Sequence, residues 1–160
     1  MKNKGFTLVE TLVVIAIIGI MTSFITPKVS IYLAKSKDVK VISNLSVLRM
    51  ASQMYYLDEG NPVGVEEGEI KTYVTGKDLE KLEKYFNGKI DSLEEDNEDS
   101  GIKQEIGGSR TEKNGEIKLG GKVKYTFKND SLISDGINIW IEKGDSVGDY
   151  SINNYKWGEL

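Results

Sequence analysis

Cysteine and histidine are both missing from the 160 residues, and proline occurs only twice. No disulfide and no thiolate metal site can brace the fold, which has to hold by burial alone. The lack of histidine excludes His-dependent catalytic triads and the zinc-protease helix motif, and removes the commonest general base at neutral pH. Carboxylate chemistry is the remaining easy enzymatic route, yet nothing among the 25 acidic residues marks out an acid/base pair. Positive charge is short as well: the formal net charge is −4, a poor electrostatic match for nucleic acid, so no direct nucleic-acid binding is expected. The length allows one compact domain beside an anchor and leaves little room for two full domains.

What the chain has instead is one long apolar run. Phe6 to Thr26 contains a single charge, Glu10, and at about 1.5 Å per residue it reaches roughly 30 Å, the thickness of a bilayer's hydrocarbon core. Lys2 and Lys4 ahead of it favour a cytoplasmic N-terminus, which puts everything after Pro27 outside the cytoplasm. A secretory signal peptide fits poorly, because its apolar core is shorter and small residues follow it, whereas Thr26-Pro27-Lys28 stands here. A generic single-pass anchor explains the length and the lysines better, and better than a buried soluble helix would. None of these explains Glu10. A carboxylate in the apolar part of a spanning helix costs about 2.5 to 3.5 kcal/mol, so it calls for a buried cation or a function.

Lys4-Gly5-Phe6-Thr7-Leu8-Val9-Glu10, joined directly to the apolar run, resembles the processing motif of type IV prepilins and pseudopilins. The shared elements are a short basic leader, a glycine before the cut, a phenylalanine after it and a glutamate four residues on. The resemblance implies that residues 1–5 are a cytoplasmic leader, removed by a membrane prepilin peptidase between Gly5 and Phe6, and that the new Phe6 amine is N-methylated. It implies further that Glu10 meets the Phe6 ammonium of a neighbouring subunit and sets the register of assembly. The physics agrees, since the two charges compensate each other in low dielectric where either alone is expensive. Without Lys2 and Lys4 the 21 basic residues fall to 19 against 25 acidic, a charge of −6. Implied partners are identical or related pilin subunits, the peptidase, a membrane assembly platform, and lipid before assembly. Gly19 and Pro27 also match family positions, where the resemblance implies helix melting in stretched fibres. Pro27 lacks an N–H and crowds the Ser23 carbonyl, so a kink or opening is expected there; Pro27 as a membrane exit and Gly19 as a close helix contact explain them equally well.

The expected fold is α+β and pilin-like: a transmembrane and filament-core helix over 6–27, continuing as an amphipathic half over 28–57, packed on a small antiparallel β-meander. Val41, Leu45, Leu48, Ala51 and Tyr55 form the apolar stripe of that second half, and Gly60-Asn61-Pro62 stops it. A connecting region over 58–115 is expected to hold a short helix near 78–87, with Leu79, Leu82, Tyr85 and Phe86 on one side and Asn87-Gly88 as its stop. The acidic run Glu94 to Asp99 reads as an exposed loop. Asp96-x-Glu98-x-Ser100-Gly101 resembles the opening of an EF-hand loop, but Gly107 occupies the position of the bidentate glutamate. The sheet is expected over 116–143, with strands at Ile117/Leu119, Val123/Tyr125/Phe127, Leu132-Ile133 and Ile137/Ile139/Ile141, and tight turns at Gly120-Gly121, Asn129-Asp130 and Asp135-Gly136. The tail over 144–160 has no disulfide to hold it. Trp157 reads as a packing anchor, and the pseudopilin resemblance implies calcium as the one candidate cofactor, at Asp145 and Asp149.

The reading is thus a non-catalytic subunit, made as a single-pass membrane protein with its head extracytoplasmic and then built into an extracellular or periplasmic filament. A type IV pilus or related filament leads, mildly favoured by the long acidic connecting loop. A pseudopilin of type II secretion or a competence pilus is the alternative within the family. A membrane-anchored binding module is the alternative outside it, and an anchored two-carboxylate hydrolase the weakest.

Overall fold

A computed structural model describes residues 7–86, 90, 92–95, 101–129, 132 and 134–160. They fall into two units, up to Leu33 and from Ala34 to Leu160. Helix α1, Leu8–Glu59, supplies the whole of the described first unit beyond Thr7 and the opening of the second.

In the first unit every side chain from Leu8 to Ser30 is exposed, and the helix is long and apolar enough to cross a membrane. Its hydroxyls need no outside partner. Thr11, Thr22, Ser23, Thr26 and Ser30 donate to the carbonyls of Leu8, Ile18, Ile20, Thr22 and Pro27, at 2.7 to 2.9 Å. A helix in hydrocarbon requires such internal satisfaction. Of the kink or opening expected at Pro27, the opening is not present: the helix runs through it without interruption. The proline removes one backbone bond, and the turns on either side keep theirs.

In the second unit α1 buries Ala34, Asp38, Val41, Leu45, Leu48, Ala51 and Ser52. These recur at three- and four-residue intervals, so one stripe faces the sheet. Gly60, at φ +75°, ends the helix, its N–H bonded to the Tyr56 carbonyl at 2.9 Å. Val65–Glu66 (β1) and Glu69–Ile70 (β2) make a small antiparallel hairpin. Helix α2, Gly76–Leu82, continues as a 3-10 turn over Glu83–Tyr85. It begins ahead of the expected 78–87 because Thr75 is its N-cap and Asp78 its third residue, in a capping box. Asn87 and Gly88, the expected stop, lie outside the described residues.

The sheet corrects the expected meander. Leu93–Glu95 (β3), Ile102–Glu105 (β4), Lys122–Thr126 (β7) and Trp140–Lys143 (β8) form one antiparallel sheet in that order. Lys118–Leu119 (β6), Gly108–Arg110 (β5) and Tyr150–Ser151 (β9) form another. Three strands therefore come from the connecting region and one from the tail, outside the expected window of 116–143. Gly120-Gly121 is not a hairpin turn. The pairings Lys103 with Lys124, Glu105 with Lys122 and Gly108 with Leu119 keep one register across it. Ile106 N–H to Gly121 carbonyl, 3.0 Å, and Gly120 N–H to Gly107 carbonyl, 2.8 Å, fill the gap. One antiparallel ribbon thus bends from one sheet into the other at two glycine corners, where φ reaches +79° and +122° in Gly120 and Gly121.

Between β7 and β8 none of the described residues belongs to a strand. Ile137 and Ile139 precede the strand instead of belonging to it, because Asp135 Oδ1 captures the N–H groups of Ile137 and Asn138, both at 2.8 Å. Leu132 is exposed outside any strand, and Asp130 and Ile133 lie outside the described residues. Of the acidic run, Glu94 and Glu95 belong to β3. Asp96, Glu98 and Ser100 lie outside the described residues, whereas Gly101 and Gly107 are buried. The α+β class stands: Val41, Leu45 and Leu48 of α1 share one core with Val123, Tyr125, Phe127, Ile139, Ile141 and Trp157.

Candidate functional site

The N-terminal turn of α1 holds the one charge of the apolar run. Thr7 precedes the helix and Glu10 stands three residues later, the spacing of a capping box. Thr7 N–H and Thr7 Oγ1 both donate to Glu10 Oε2, at 2.7 and 2.9 Å, and Glu10 N–H returns a bond to Thr7 Oγ1 at 3.3 Å. In the single chain the carboxylate is therefore held by its own helix start, where the dipole also favours it. The sequence carries this signal as Thr7-Leu8-Val9-Glu10. Among the described residues no ion pair involves Glu10, and Glu10 Oε1 takes no hydrogen bond. Gly5 and Phe6, the expected cleavage and methylation residues, lie outside the described residues.

Gly19 has nothing within 4 Å of where a Cβ would stand. The single chain does not require a glycine there, so any demand for one comes from a neighbour. Asp145 and Asp149, the calcium candidates, sit on the loop between β8 and β9. The Asp149 carboxylate is paired with Lys143, which holds it below the usual carboxylate range. Asp145 is exposed, and among the described residues no three acidic side chains converge as a metal site. Trp157 is fully buried and its backbone N–H donates to the Asp149 carbonyl at 2.9 Å, which fastens the tail.

Asp38 was not among the expected residues, although its spacing signalled it: it falls on the buried stripe between Ala34 and Val41. Its carboxylate is fully buried and accepts the N–H groups of Gly107 at 2.9 Å, Gly108 at 3.4 Å and Ile152 at 2.9 Å. Burial pushes its pKa up, against the pull of the three donors. The ribbon comes so close here that a Cβ on Gly107 would stand 1.8 Å from the Ala34 carbonyl oxygen. Arg49, one face round, reaches the carbonyls of Ile139, at 2.6 Å, and Leu160. Asp38 and Arg49 thus clamp the stem helix to the sheets and to the tail.

Comparison with known proteins bears on this arrangement. Residues 1–26 match the prokaryotic N-terminal methylation motif. The chain is 38% identical over 77 residues to the type IV major fimbrial protein FimA of Dichelobacter nodosus, across 48% of this chain and 46% of that protein. It is 37% identical over 67 residues to type II secretion system core protein G of Klebsiella pneumoniae, across 42% of this chain and 48% of that one. It therefore spans about half the length of these two relatives. Against core protein G of Klebsiella michiganensis the identity is 33% over 97 residues, 59% of this chain and 68% of the relative. No solved structure matches. Fimbrial and secretion proteins share this likeness, which in the last case, at 97 residues, is much longer than the motif over residues 1–26, and on that extent the chain belongs to the type IV pilin and pseudopilin family.

Proposed function

We propose that the chain is a structural, non-enzymatic subunit of a type IV pilus or related filament. A prepilin peptidase cuts the precursor between Gly5 and Phe6, the Phe6 amine is methylated, and the subunit polymerises through α1. Before assembly it is a single-pass membrane protein with Lys2 and Lys4 on the cytoplasmic side and its head outside. The observation that carries the reading is the exposed, internally satisfied helix from Leu8 to Ser30, whose one carboxylate keeps Oε1 open among the described residues. In lipid the Thr7 cap suffices for it. In a fibre, where neighbouring stems replace lipid, that oxygen is the place for the Phe6 ammonium of an adjoining subunit. A membrane platform supplies the subunits to the growing end.

Electron microscopy of filaments with mass spectrometry of their abundant subunit tests this. The expected result is this chain beginning at a methylated Phe6. An intact Met1-to-Gly5 leader on a protein confined to the membrane would favour an anchored binding module instead. A pseudopilin of type II secretion is the second reading, supported by the length of the match to core protein G. Deleting the chain then abolishes release of exported proteins and leaves surface pili unchanged.

A further inference from the structure

Asparagine stands directly before glycine at Asn87-Gly88, outside the described residues, and at Asn114-Gly115. Such a pair is chemically weak, because a glycine has no side chain to shield its backbone nitrogen from the asparagine's Cγ. Asn114 lies in the turn from Glu112 to Gly115, between β5 and β6. It is exposed to water and has a φ of +63°, which asparagine tolerates better than most side chains. Its surroundings hold it firmly. Gly115 N–H donates to the Glu112 carbonyl at 2.9 Å. Asn154, on the turn that follows β9, grips Asn114 with both ends of its amide: Oδ1 accepts Asn114 N–H at 3.0 Å, and Nδ2 donates to Asn114 Oδ1 at 2.8 Å. A backbone N–H has to meet an oxygen, which fixes the orientation of the Asn154 amide. Arg110 draws the same two loops together, donating to the carbonyls of Gly115 and, at 3.3 Å, of Ile152.

We propose that Asn114 is a latent site of deamidation and that Asn154, a positioning residue on the tail, keeps it closed. The inference concerns the head alone and stands apart from the filament reading. For the reaction, the Gly115 nitrogen gives up its proton and attacks Asn114 Cγ. The new N–Cγ bond forms, the Cγ–Nδ2 bond breaks, and Nδ2 leaves as ammonia with the proton. Water then opens the cyclic imide at either carbonyl, giving aspartate or isoaspartate, and no further reactant is needed. In the folded head neither partner is ready: Gly115 N–H is engaged by Glu112, and the Asn114 amide is turned toward Asn154. Peeling the tail turn away from the β5–β6 loop releases that amide, and the loss of ammonia makes the outcome one-way. Aspartate at this position still suits the turn, since it tolerates the positive φ and can accept from Asn154 Nδ2. Isoaspartate adds a methylene to the main chain and breaks the turn, so the site converts a passing release of the tail into a lasting one.

The test incubates the full chain in detergent at mildly alkaline pH and follows the tryptic peptide 114–118 by mass spectrometry, which keeps it apart from Asn87 in peptide 85–89. Asn154→Gly accepts the φ of +64° at that position and removes the amide. It is expected to deamidate at Asn114 roughly tenfold faster than wild type, the order of effect expected from two lost hydrogen bonds. Asn154→Asp keeps the acceptor and loses the donor, and its rate is expected to fall between the two. Asn153→Gly loosens the same turn but leaves the clamp, and is expected to react at the wild-type rate. Wild type unfolded in urea is expected to react faster than any of the folded chains. A wild-type rate in Asn154→Gly overturns the proposal, as do equal acceleration in Asn153→Gly and an unreactive Asn114 in urea. Should Asn154→Gly fail to fold, Asn154→Asp decides in its place, and a wild-type rate there overturns the proposal equally.

Discussion

Asp38 stands where the spacing of the stem calls for an aliphatic side chain, and three backbone N–H groups converge on it. Asp38→Leu fits the stripe but orphans those donors, so it is expected to destabilise the head by about 3 kcal/mol, read as a lowered melting temperature of the detergent-solubilised chain. The raised pKa has a definite sign. Between the ordinary carboxylate range and the raised value the folded chain holds a proton that the unfolded chain has released, so this group's contribution to stability falls as pH rises through that window. Asp38→Asn cannot titrate, so the melting temperature of wild type is expected to rise relative to that of the variant toward acid pH. A difference flat with pH would contradict the assignment. Beside it, Gly107→Ala would force a methyl group into the Ala34 carbonyl. Backbone cannot yield there as a flexible side chain could, and the expected outcome is loss of folded protein, seen as proteolysis of the head in cells.

Among the elements, legibility followed the presence of a repeating apolar pattern. Helix α1 and strand β7 show one, with Val123, Tyr125 and Phe127 fully buried on a single face of the strand and its extension. Strand β5, Gly-Ser-Arg, has none, and β4 puts Gln104 in the core, where it accepts from Tyr125 Oη and Asn44 Nδ2. Such strands are defined by their pairing partners, which a linear pattern does not display. The glycine pair at 120–121 was visible but ambiguous, since a turn and a corner both use positive φ. The start of α2 was legible only to a reader of caps. Asp78 there accepts from Thr75 N–H and Oγ1, at 3.0 and 2.8 Å, and pairs with Lys71. Asp78→Ala is expected to cost about 1 to 2 kcal/mol, with faster hydrogen exchange confined to residues 75–82.

At the scale of the molecule, the lone carboxylate of the apolar run was visible in the sequence and its partner within the chain was not. Glu10 stood out as a lone charge in an apolar run, yet its nearest partner is Thr7 in its own chain. The two roles separate in one experiment. Glu10→Ala is expected to leave processing before Phe6 largely intact and to reduce filaments at least tenfold, because the cut site is unchanged and the buried counter-charge is gone. Normal filament numbers would assign Glu10 to helix capping alone.

The hydroxyl groups along the apolar stretch carry one more consequence. Thr11, Thr22, Ser23, Thr26 and Ser30 all turn inward to carbonyls one turn behind them. A rod wired this way is indifferent to its coat: acyl chains can be stripped from it and protein laid against it without one of these bonds having to be remade. Leaving the bilayer then involves an exchange of greasy neighbours and no internal rearrangement, the property wanted in a part that is stored in one medium and used in another.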